Sequence, residues 1–388
     1  MTATDQRSDP AASGSGSAAA TRDRAAAPRA PKARVPFWDN GRFLAVVLVV
    51  MGHAVQRLTA DSNAAYSVYV FIYAFHMPAF AVISGYFCTA DPPGVKQMRR
   101  VLTDLVVPYI VMQAIWSLVQ FLVEGKRAVN LTEPHWTLWF LLALAFFRLV
   151  LPYLALLRWP LLWSIIFSLG IGYASNVDST FSLSRAIGLL PFFVMGWQLR
   201  GGKLMSRWQK APARIVWPAR AAALGLFGAW FAVAVVWGAD FKRFQLHLWF
   251  FYDDSFESLA EQQWWAGPLR LGLIVLSVAL IAAFFALIPR RLTWFTGFGT
   301  ATLYVYLLHS FVLYPVRESG VLGDQKESVL WLISVLVGSV AIAVFLSSPF
   351  IRKVFRPLIE PKPRWIFRAV DSRPGGASRV DPTGSRRR

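Results

Sequence analysis

The chain has 388 residues, of which 56% are hydrophobic and only 16% charged, with 17 tryptophans and 30 phenylalanines. Ordinary soluble domains contain about 25% charged residues, so this composition and repeated apolar runs of about 20 residues exclude a soluble enzyme. They predict an all-α, polytopic helical bundle in a membrane. The single cysteine, Cys88, excludes an internal disulfide and a cysteine-based metal site.

The two ends of the chain differ from the apolar middle. Residues 1–34 are mainly Ala, Ser, Gly, Pro and Arg without an apolar run, which predicts a disordered, basic cytoplasmic tail. Because this stretch lacks the apolar core of a cleaved signal peptide, we expect the first span to direct membrane insertion. Residues 35–355 are predicted to form the transmembrane domain, and residues 356–388 a second basic, disordered cytoplasmic tail.

The apolar middle predicts about ten transmembrane helices. They are expected to begin near Phe43, Tyr66, Val101, Trp136, Pro160, Leu183, Ile215, Ala266, Thr300 and Ser328. Prolines interrupt several of these spans at Pro108, Pro152, Pro191 and Pro315. Proline within a span is tolerated where neighbouring helices or polar groups satisfy the freed backbone groups.

The net charge of +19 is concentrated in the tails and in alternate short loops. Nucleic-acid binding is not predicted, because this placement follows the positive-inside rule of membrane proteins. The rule puts both termini in the cytoplasm. The predicted location is the plasma membrane, which the chain would cross several times. Inner loops then hold Lys96, Arg99, Arg100, Arg158, Arg200, Lys203, Arg207, Lys210, Arg214, Arg290 and Arg291.

The first span contains an arginine at its front edge, Arg42, and a histidine inside it, His53. Ionisable residues within a span are costly and by default mark a functional site. Eleven helical residues turn through about 1100°, close to three full turns, so the two side chains share a face about 16 Å apart. The alternative is that Arg42 anchors the span at the interface and His53 hydrogen-bonds a neighbouring helix. Asp39 or Asn40 is expected to cap the helix.

The second span places another histidine, His76, about ten residues into an apolar run. Pro78 follows it and frees a backbone carbonyl one turn earlier. Two histidines at similar depth on neighbouring antiparallel spans predict that His53 and His76 share one site.

The stretches WDNGRFLAVVLVVMGH and FHMPAFAVISGYF together resemble the integral-membrane acyltransferase 3 family, in the branch similar to fucose 4-O-acetylase. That family carries an arginine, ten residues and a histidine in its first span, which match Arg42 and His53. Further similarity lies in Trp136 to Leu144, Leu189 to Trp197 and Leu303 to Phe311, within a region from about Phe37 to Phe350.

The resemblance implies an O-acyltransferase that moves an acyl group, with acetyl predicted, from acyl-CoA to a hydroxyl of a sugar or cell-envelope glycan. Imidazole suits proton removal from that hydroxyl, so His53 is the expected general base. A fixed planar cation suits a donor phosphate, which is the role expected for Arg42. Substrate-binding roles are predicted for His76, Asp39, Trp139, Tyr306 and His309.

Several of these residues have a structural alternative. Asp39 either orients Arg42 or caps the helix, and His309 is explained equally well by a hydrogen bond between spans. Trp139 lies near a span end, where tryptophan is typical of the interfacial belt. The longest outer connection, from Ala239 to Trp265, mixes aromatic and acidic residues, which suit either a sugar surface or an interfacial segment.

The sequence also bears on other reaction and protein classes. It contains no GxSxG, HExxH, P-loop or dinucleotide motif. No metal cofactor is predicted, although a site formed by His53, His76 and His309 is conceivable. A transporter or flippase for a glycan or lipid-linked precursor is the main alternative, because proline-broken spans and midplane histidines also occur in transporters. A membrane assembly protein without catalytic activity is a third.

Overall fold

The computed structural model describes residues 35–125, 130–174, 180–259, 263–320 and 328–361. All regular structure in these ranges is helical, in agreement with the predicted fold class. The first helix begins at Pro36, and the last helix ends at Ile359, four residues beyond the predicted end of the transmembrane domain at residue 355. The predicted N-terminal tail and residues 362–388 lie outside the described residues.

The described helices are numbered in chain order. The first eight are α1 Pro36–Val55, α2 Asn63–Tyr73, α3 His76–Tyr86, α4 Val95–Val101, α5 Val107–Glu124, α6 Trp139–Leu154, α7 Pro160–Gly170 and α8 Leu183–Gly201. The others are α9 Leu204–Lys210, α10 Ala213–Val236, α11 Gly238–Arg243, α12 Leu246–Trp249, α13 Ala266–Leu287, α14 Thr302–Glu318, α15 Val329–Leu346 and α16 Pro349–Ile359.

Within the described ranges, seven helical segments are long and apolar enough to cross a membrane. They are Pro36–Thr59, Asn63–Tyr86, Val95–Glu124, Thr180–Gly201, Ala213–Val236, Ala266–Leu287 and Val329–Leu346. The other three predicted spans correspond to α6, α7 and α14, which are shorter. The 11 residues of α7 extend about 16 Å at 1.5 Å per residue, well short of a hydrocarbon core of about 30 Å. A count of apolar runs therefore gives more spans than helix length supports.

The start of α1 differs from the prediction that Asp39 or Asn40 caps it. The helix begins at Pro36, and Val35 is its N-cap without a side-chain hydrogen bond. Proline is well suited to a first helical position because its φ is already helical and its missing N–H has no partner there. The amide of Asn40 instead donates to the carbonyls of Pro289 and Arg291, at 2.9 and 3.0 Å. This buried asparagine therefore ties α1 to the segment that follows α13.

A break between α2 and α3 precedes His76. Pro78 has no N–H to donate to the carbonyl of Ala74, one turn earlier. The hydroxyl of Ser277, from α13, donates to that carbonyl at 2.6 Å. The Nδ1 atom of His76 lies 3.0 Å from the carbonyl oxygen of Ile72, on the other side of the break. The backbone carbonyl that Pro78 was predicted to free is thus hydrogen-bonded by a side chain from another helix.

Helices α3 and α8 pack closely through a reciprocal pair of glycines. A Cβ atom on Gly85 would lie 2.0 Å from the backbone oxygen of Phe193, and one on Gly196 would lie 2.0 Å from that of Val82. Small residues allow this approach because only backbone atoms occupy the interface. The contact fixes α3, which begins at His76, against α8.

Candidate functional site

Two histidines from distant parts of the chain form the centre of the candidate site. His53 in the last turn of α1 and His309 in the middle of α14 are hydrogen-bonded, with Nδ1 of His53 2.8 Å from Nε2 of His309. Their rings are nearly parallel, with centroids 5.1 Å apart. His309 is fully buried. The expected hydrogen bond between spans is therefore present, and it joins His309 directly to the predicted general base.

The hydrogen bonds indicate which ring nitrogens carry protons in the neutral pair. Nδ1 of His309 lies 3.0 Å from the carbonyl oxygen of Val305, which can only accept, so that nitrogen carries the proton. Nε2 of His309 is then an acceptor, and Nδ1–H of His53 donates to it. The remaining lone pair of His53 is on Nε2. This assignment follows from the hydrogen-bond network and leaves His53 with a basic nitrogen on the far side of its ring.

A cavity of about 180 Å³, the central cavity, lies beside this histidine pair. Its lining includes His53, His76, Trp139 and Tyr306, four of the predicted site residues. The prediction that His53 and His76 share a site is consistent with this arrangement, although the direct partner of His53 is His309. The hydroxyl of Tyr306 donates to the carbonyl of Thr137, which joins α14 to the segment before α6.

The two histidines of the central cavity have different surroundings. Nδ1 of His76 is engaged with Ile72 at the break between α2 and α3, and its ring packs edge-on against Tyr73, with centroids 4.6 Å apart. Its Nε2 atom is buried and has no hydrogen-bond partner among the described residues. His76 is therefore held by the break itself, whereas His53 is oriented by a second imidazole.

Arg185 and Trp136 also line the central cavity and were not among the predicted site residues. Arg185 is ion-paired with Asp253, which also accepts a 2.7 Å hydrogen bond from Ser184. The guanidinium of Arg185 lies 4.6 Å from the ring centre of Trp139, in cation–π geometry. An arginine in the apolar run that begins at Leu183 is a signal of the same kind as His53 in the first span.

Trp136 is held in an unusual backbone conformation beside His53. Its φ of 31° is positive, which is uncommon for a bulky residue and worth a functional interpretation. Its ring centre lies 5.3 Å from that of His53, and the guanidinium of Arg317 lies 5.3 Å from the Trp136 ring centre. Trp136 therefore packs against His53 on one side and against Arg317, at the C-terminal end of α14, on another.

Arg42 borders a different cavity, of about 280 Å³, which we call the donor cavity after the donor-phosphate role predicted for Arg42. Its lining is mainly apolar and also includes Arg148, Cys88 and Asp104. Nη1 of Arg42 lies 3.7 Å from Oδ1 of Asp39, and the guanidinium lies 4.1 Å from the ring centre of Phe87. The arrangement fits the orienting role considered for Asp39.

The predicted site residues thus fall into two groups on opposite parts of α1. Asp39 and Arg42 belong with the donor cavity, and His53 belongs with the central cavity. Tyr306 lines both cavities. Within the described parts of the chain, no group of three His, Cys, Asp or Glu side chains is arranged to hold a metal ion.

Comparison with protein families gives one match. A family model described as an acyltransferase domain, of the acyltransferase 3 type, matches residues 35–348. No curated protein and no solved structure matches the chain. The matched region includes Arg42, His53 and His309, together with the helices that carry them.

Proposed function

Because the chain belongs to the acyltransferase 3 family and is thus an acyltransferase with membrane-type helices, we propose that it acylates a hydroxyl of a sugar or cell-envelope glycan. The proposed donor is acyl-CoA, with acetyl-CoA as the first candidate. A specificity similar to that of the fucose 4-O-acetylase branch, a plasma-membrane location and cytoplasmic termini are parts of the same proposal.

The observation that carries the proposal is the orientation of His53 by His309. A hydroxyl is a weak nucleophile until a base removes its proton. A histidine whose second nitrogen is engaged by another group is oriented for that task, as in the general pattern of a nucleophile, a base and an orienting residue. In this protein the 2.8 Å bond to His309 engages Nδ1 and leaves Nε2 of His53 as the base.

In the proposed reaction, His53 first accepts a proton and later donates it. Nε2 of His53 takes the proton of the acceptor hydroxyl, while the hydroxyl oxygen forms a bond to the thioester carbonyl carbon. The carbon–sulfur bond then breaks, and the departing CoA sulfur takes the proton from the His53 imidazolium. Acceptor hydroxyl and acyl-CoA become an ester and free CoA thiol, and His53 is returned to its neutral form.

The donor cavity is the proposed binding site for the phosphate-bearing end of acyl-CoA. Arg42 and Arg148 provide two cations in a lining that is otherwise mostly apolar. Planar guanidinium groups suit phosphate oxygens, and an apolar lining suits the pantetheine arm. Arg42 and His53 are about 16 Å apart along α1, so the long arm of CoA would run from one residue towards the other beside Tyr306.

The central cavity supports a sugar as the acceptor. Its lining combines aromatic rings, including Trp136 and Trp139, with polar groups such as Gln56 and Arg185. Binding sites for small molecules commonly combine apolar surfaces with a few fixed polar groups that set orientation. Aromatic rings can pack against the apolar face of a pyranose, while Gln56 and Arg185 supply hydrogen bonds.

The proposal is tested with purified protein in lipid nanodiscs, labelled acetyl-CoA and glycans extracted from the cell envelope of a strain that lacks the protein. We expect label to appear in the glycan as an alkali-labile ester, with release of free CoA in equal amount. Protein with His53→Ala is the control for background hydrolysis. Failure to transfer label to any extracted glycan, with correctly folded protein that binds acetyl-CoA, would contradict a glycan acceptor.

A further inference from the structure

A second opening adjoins the central cavity on the side away from Arg42. This outer cavity has a volume of about 240 Å³ and shares His53, Gln56 and Trp136 with the central cavity. Its remaining lining includes Arg57 and Arg317, from the segment after α1 and from the end of α14. A molecule that reaches Nε2 of His53 through this opening therefore passes two arginines.

The charge in the outer cavity is predominantly positive. No carboxylate is among the described residues that line it. Arg57 is exposed and has no ion-pair partner within the described ranges. Arg317 forms an ion pair with Glu318, with 3.6 Å between Nε and Oε1, and both side chains are more than one-third exposed. Such an exposed contact neutralises an arginine only weakly.

The other titratable groups near this cavity do not cancel the two arginines. Burial lowers the pKa of His247, which lines the outer cavity, so this side chain is neutral at neutral pH. Arg185, in the adjoining central cavity, is already paired with Asp253. Among the described residues that line the outer cavity, Arg57 and Arg317 therefore remain the two available cations.

We propose that the outer cavity binds an oxyanion of the acceptor, a phosphate or a carboxylate, and that the acylated sugar therefore belongs to an acidic glycan. This inference rests on the proposed function, because it assigns a substrate class to the same site. A guanidinium group makes paired hydrogen bonds to either oxyanion, and two of them recognise the shared chemistry of both.

The spacing along the helices suits one acceptor molecule. Arg57 follows His53 by four residues, about one helical turn or 6 Å along the axis. Arg317 contacts the ring of Trp136, and the same ring packs against His53. An acceptor hydroxyl at His53 and an oxyanion at the arginines would thus be separated by about the width of one sugar ring, with Trp136 beside it.

The predicted orientation of the chain in the membrane also bears on the position of Arg57 and Arg317. The positive-inside rule places the Arg57 and Arg317 end of the bundle outside, where arginine near span ends is disfavoured. Two arginines around one cavity on that side are not explained by topology, and a ligand for them is a physical reason for their position.

The test measures equilibrium binding to the full-length protein in nanodiscs. The probes are glucose, glucuronate and glucose 6-phosphate, which share a sugar ring and differ in the anionic group. We expect each anionic sugar to bind at least tenfold more tightly than glucose, with an advantage that falls as salt is raised. The preferred anion distinguishes a carboxylate from a phosphate acceptor.

The variants Arg57→Gln and Arg317→Gln are each expected to remove most of that advantage without changing acyl-CoA binding, because neither residue lines the donor cavity. Arg243→Gln is the matched control, because Arg243 is exposed in α11 and lines neither cavity. Equal binding of glucose and both anionic sugars, absence of anionic sugar binding, or full retention in the double variant would overturn the inference. Retained oxyanion binding without acyl transfer would instead contradict the proposed function alone.

Discussion

At the scale of single residues, the orientation of His53 depends on another imidazole. Nε2 of His309 accepts a hydrogen bond from Nδ1–H of His53, and Nδ1–H of His309 donates to the carbonyl oxygen of Val305. The pair resembles the general arrangement of a base and an orienting group, with a neutral imidazole where many enzymes use a carboxylate. The two residues therefore have distinct effects on activity that substitutions can separate.

Substitution His53→Ala is expected to abolish transfer while the protein still folds and binds the donor. Loss of a general base typically reduces the rate by about 10²- to 10⁴-fold. The measurement is acyl transfer at matched amounts of folded protein, together with acyl-CoA binding. His76→Ala is the comparison, and we expect a milder rate loss or a lower folded yield, since His76 is bonded at the α2–α3 break. Near-normal transfer by His53→Ala would contradict the mechanism.

Substitution His309→Leu is expected to slow transfer less than His53→Ala does. It removes one orienting hydrogen bond worth about 0.5–1.5 kcal/mol, which corresponds to roughly 2- to 13-fold in rate. His309→Gln places an acceptor near the position of Nε2 and is expected to recover part of the loss. In a double variant with His53→Ala, the further effect of His309→Leu should disappear, because residues that act as a unit are not additive. Additive losses would separate the two histidines.

Substitution Arg42→Ala is expected to weaken acyl-CoA binding by about 1.5–3 kcal/mol, the range for hydrogen bonds to charged groups. Arg42→Lys should recover only part of this loss, since lysine cannot make a bidentate contact. Donor affinity is measured by equilibrium binding, with Arg100→Ala, at an exposed position in α4 outside the donor cavity, as the control. Unchanged affinity in Arg42→Ala would leave Arg42 as an interfacial anchor.

At the scale of helices, the position of the central cavity depends on the break between α2 and α3 and on the close packing of α3 against α8. Ser277 supports the carbonyl freed by Pro78 at 2.6 Å, and Gly85 and Gly196 let α3 and α8 meet backbone to backbone. Arg270, in α13, is buried and donates to the carbonyl of Asp254 at 2.9 Å. That contact holds the segment that supplies Asp253 to Arg185.

Substitution Gly85→Ala is expected to lower the thermal stability and the folded yield. Its Cβ would meet the backbone oxygen of Phe193, so α3 and α8 would have to separate, and such overpacking typically costs about 1–3 kcal/mol. The control is Gly225→Ala in α10, where a Cβ meets no atom within 4 Å and helix propensity favours alanine by about 1 kcal/mol. Equal melting temperatures for the two variants would contradict close packing of α3 against α8.

At the scale of the whole molecule, the donor cavity and the outer cavity lie at different ends of α1. The donor cavity involves Arg42, near the start of the helix, and the outer cavity involves Arg57, just after its end. This separation fits the proposed supply of acyl-CoA from the cytoplasm and the proposed entry of the acceptor from the opposite side. The direction in which the bundle is inserted thus determines which substrate each cavity meets.

The predicted orientation is tested by cysteine labelling in intact cells, in a Cys88→Ser background. A single cysteine at Glu257, exposed after Asp254, should react with a membrane-impermeant maleimide, and a single cysteine at Arg214 should not. Permeabilised cells, in which both should react, provide the control. Labelling of Arg214→Cys but not Glu257→Cys in intact cells would reverse the predicted topology.

The sequence by itself determined the helical membrane class and singled out Arg42 and His53. Both follow from local information, because a span requires a long apolar run and an ionisable group within it is costly. The predicted count of about ten spans is not confirmed, since seven helical segments of the described residues are long enough to cross a membrane. The predicted cap of α1 was wrong, because the helix begins at Pro36 and Asn40 donates to the segment after α13. Span length and end contacts are properties of the packed bundle.

Only the tertiary structure decided which groups complete the site. His53 and His309 are 256 residues apart in sequence, and Arg185 and Asp253 are 68 apart. Periodicity shows the face on which a side chain lies, but it contains no information about which distant helix packs against that face. The pairing of the histidines, the conformation of Trp136 and the separation of three cavities arise from that packing, in which buried polar groups are bonded by partners from elsewhere in the chain.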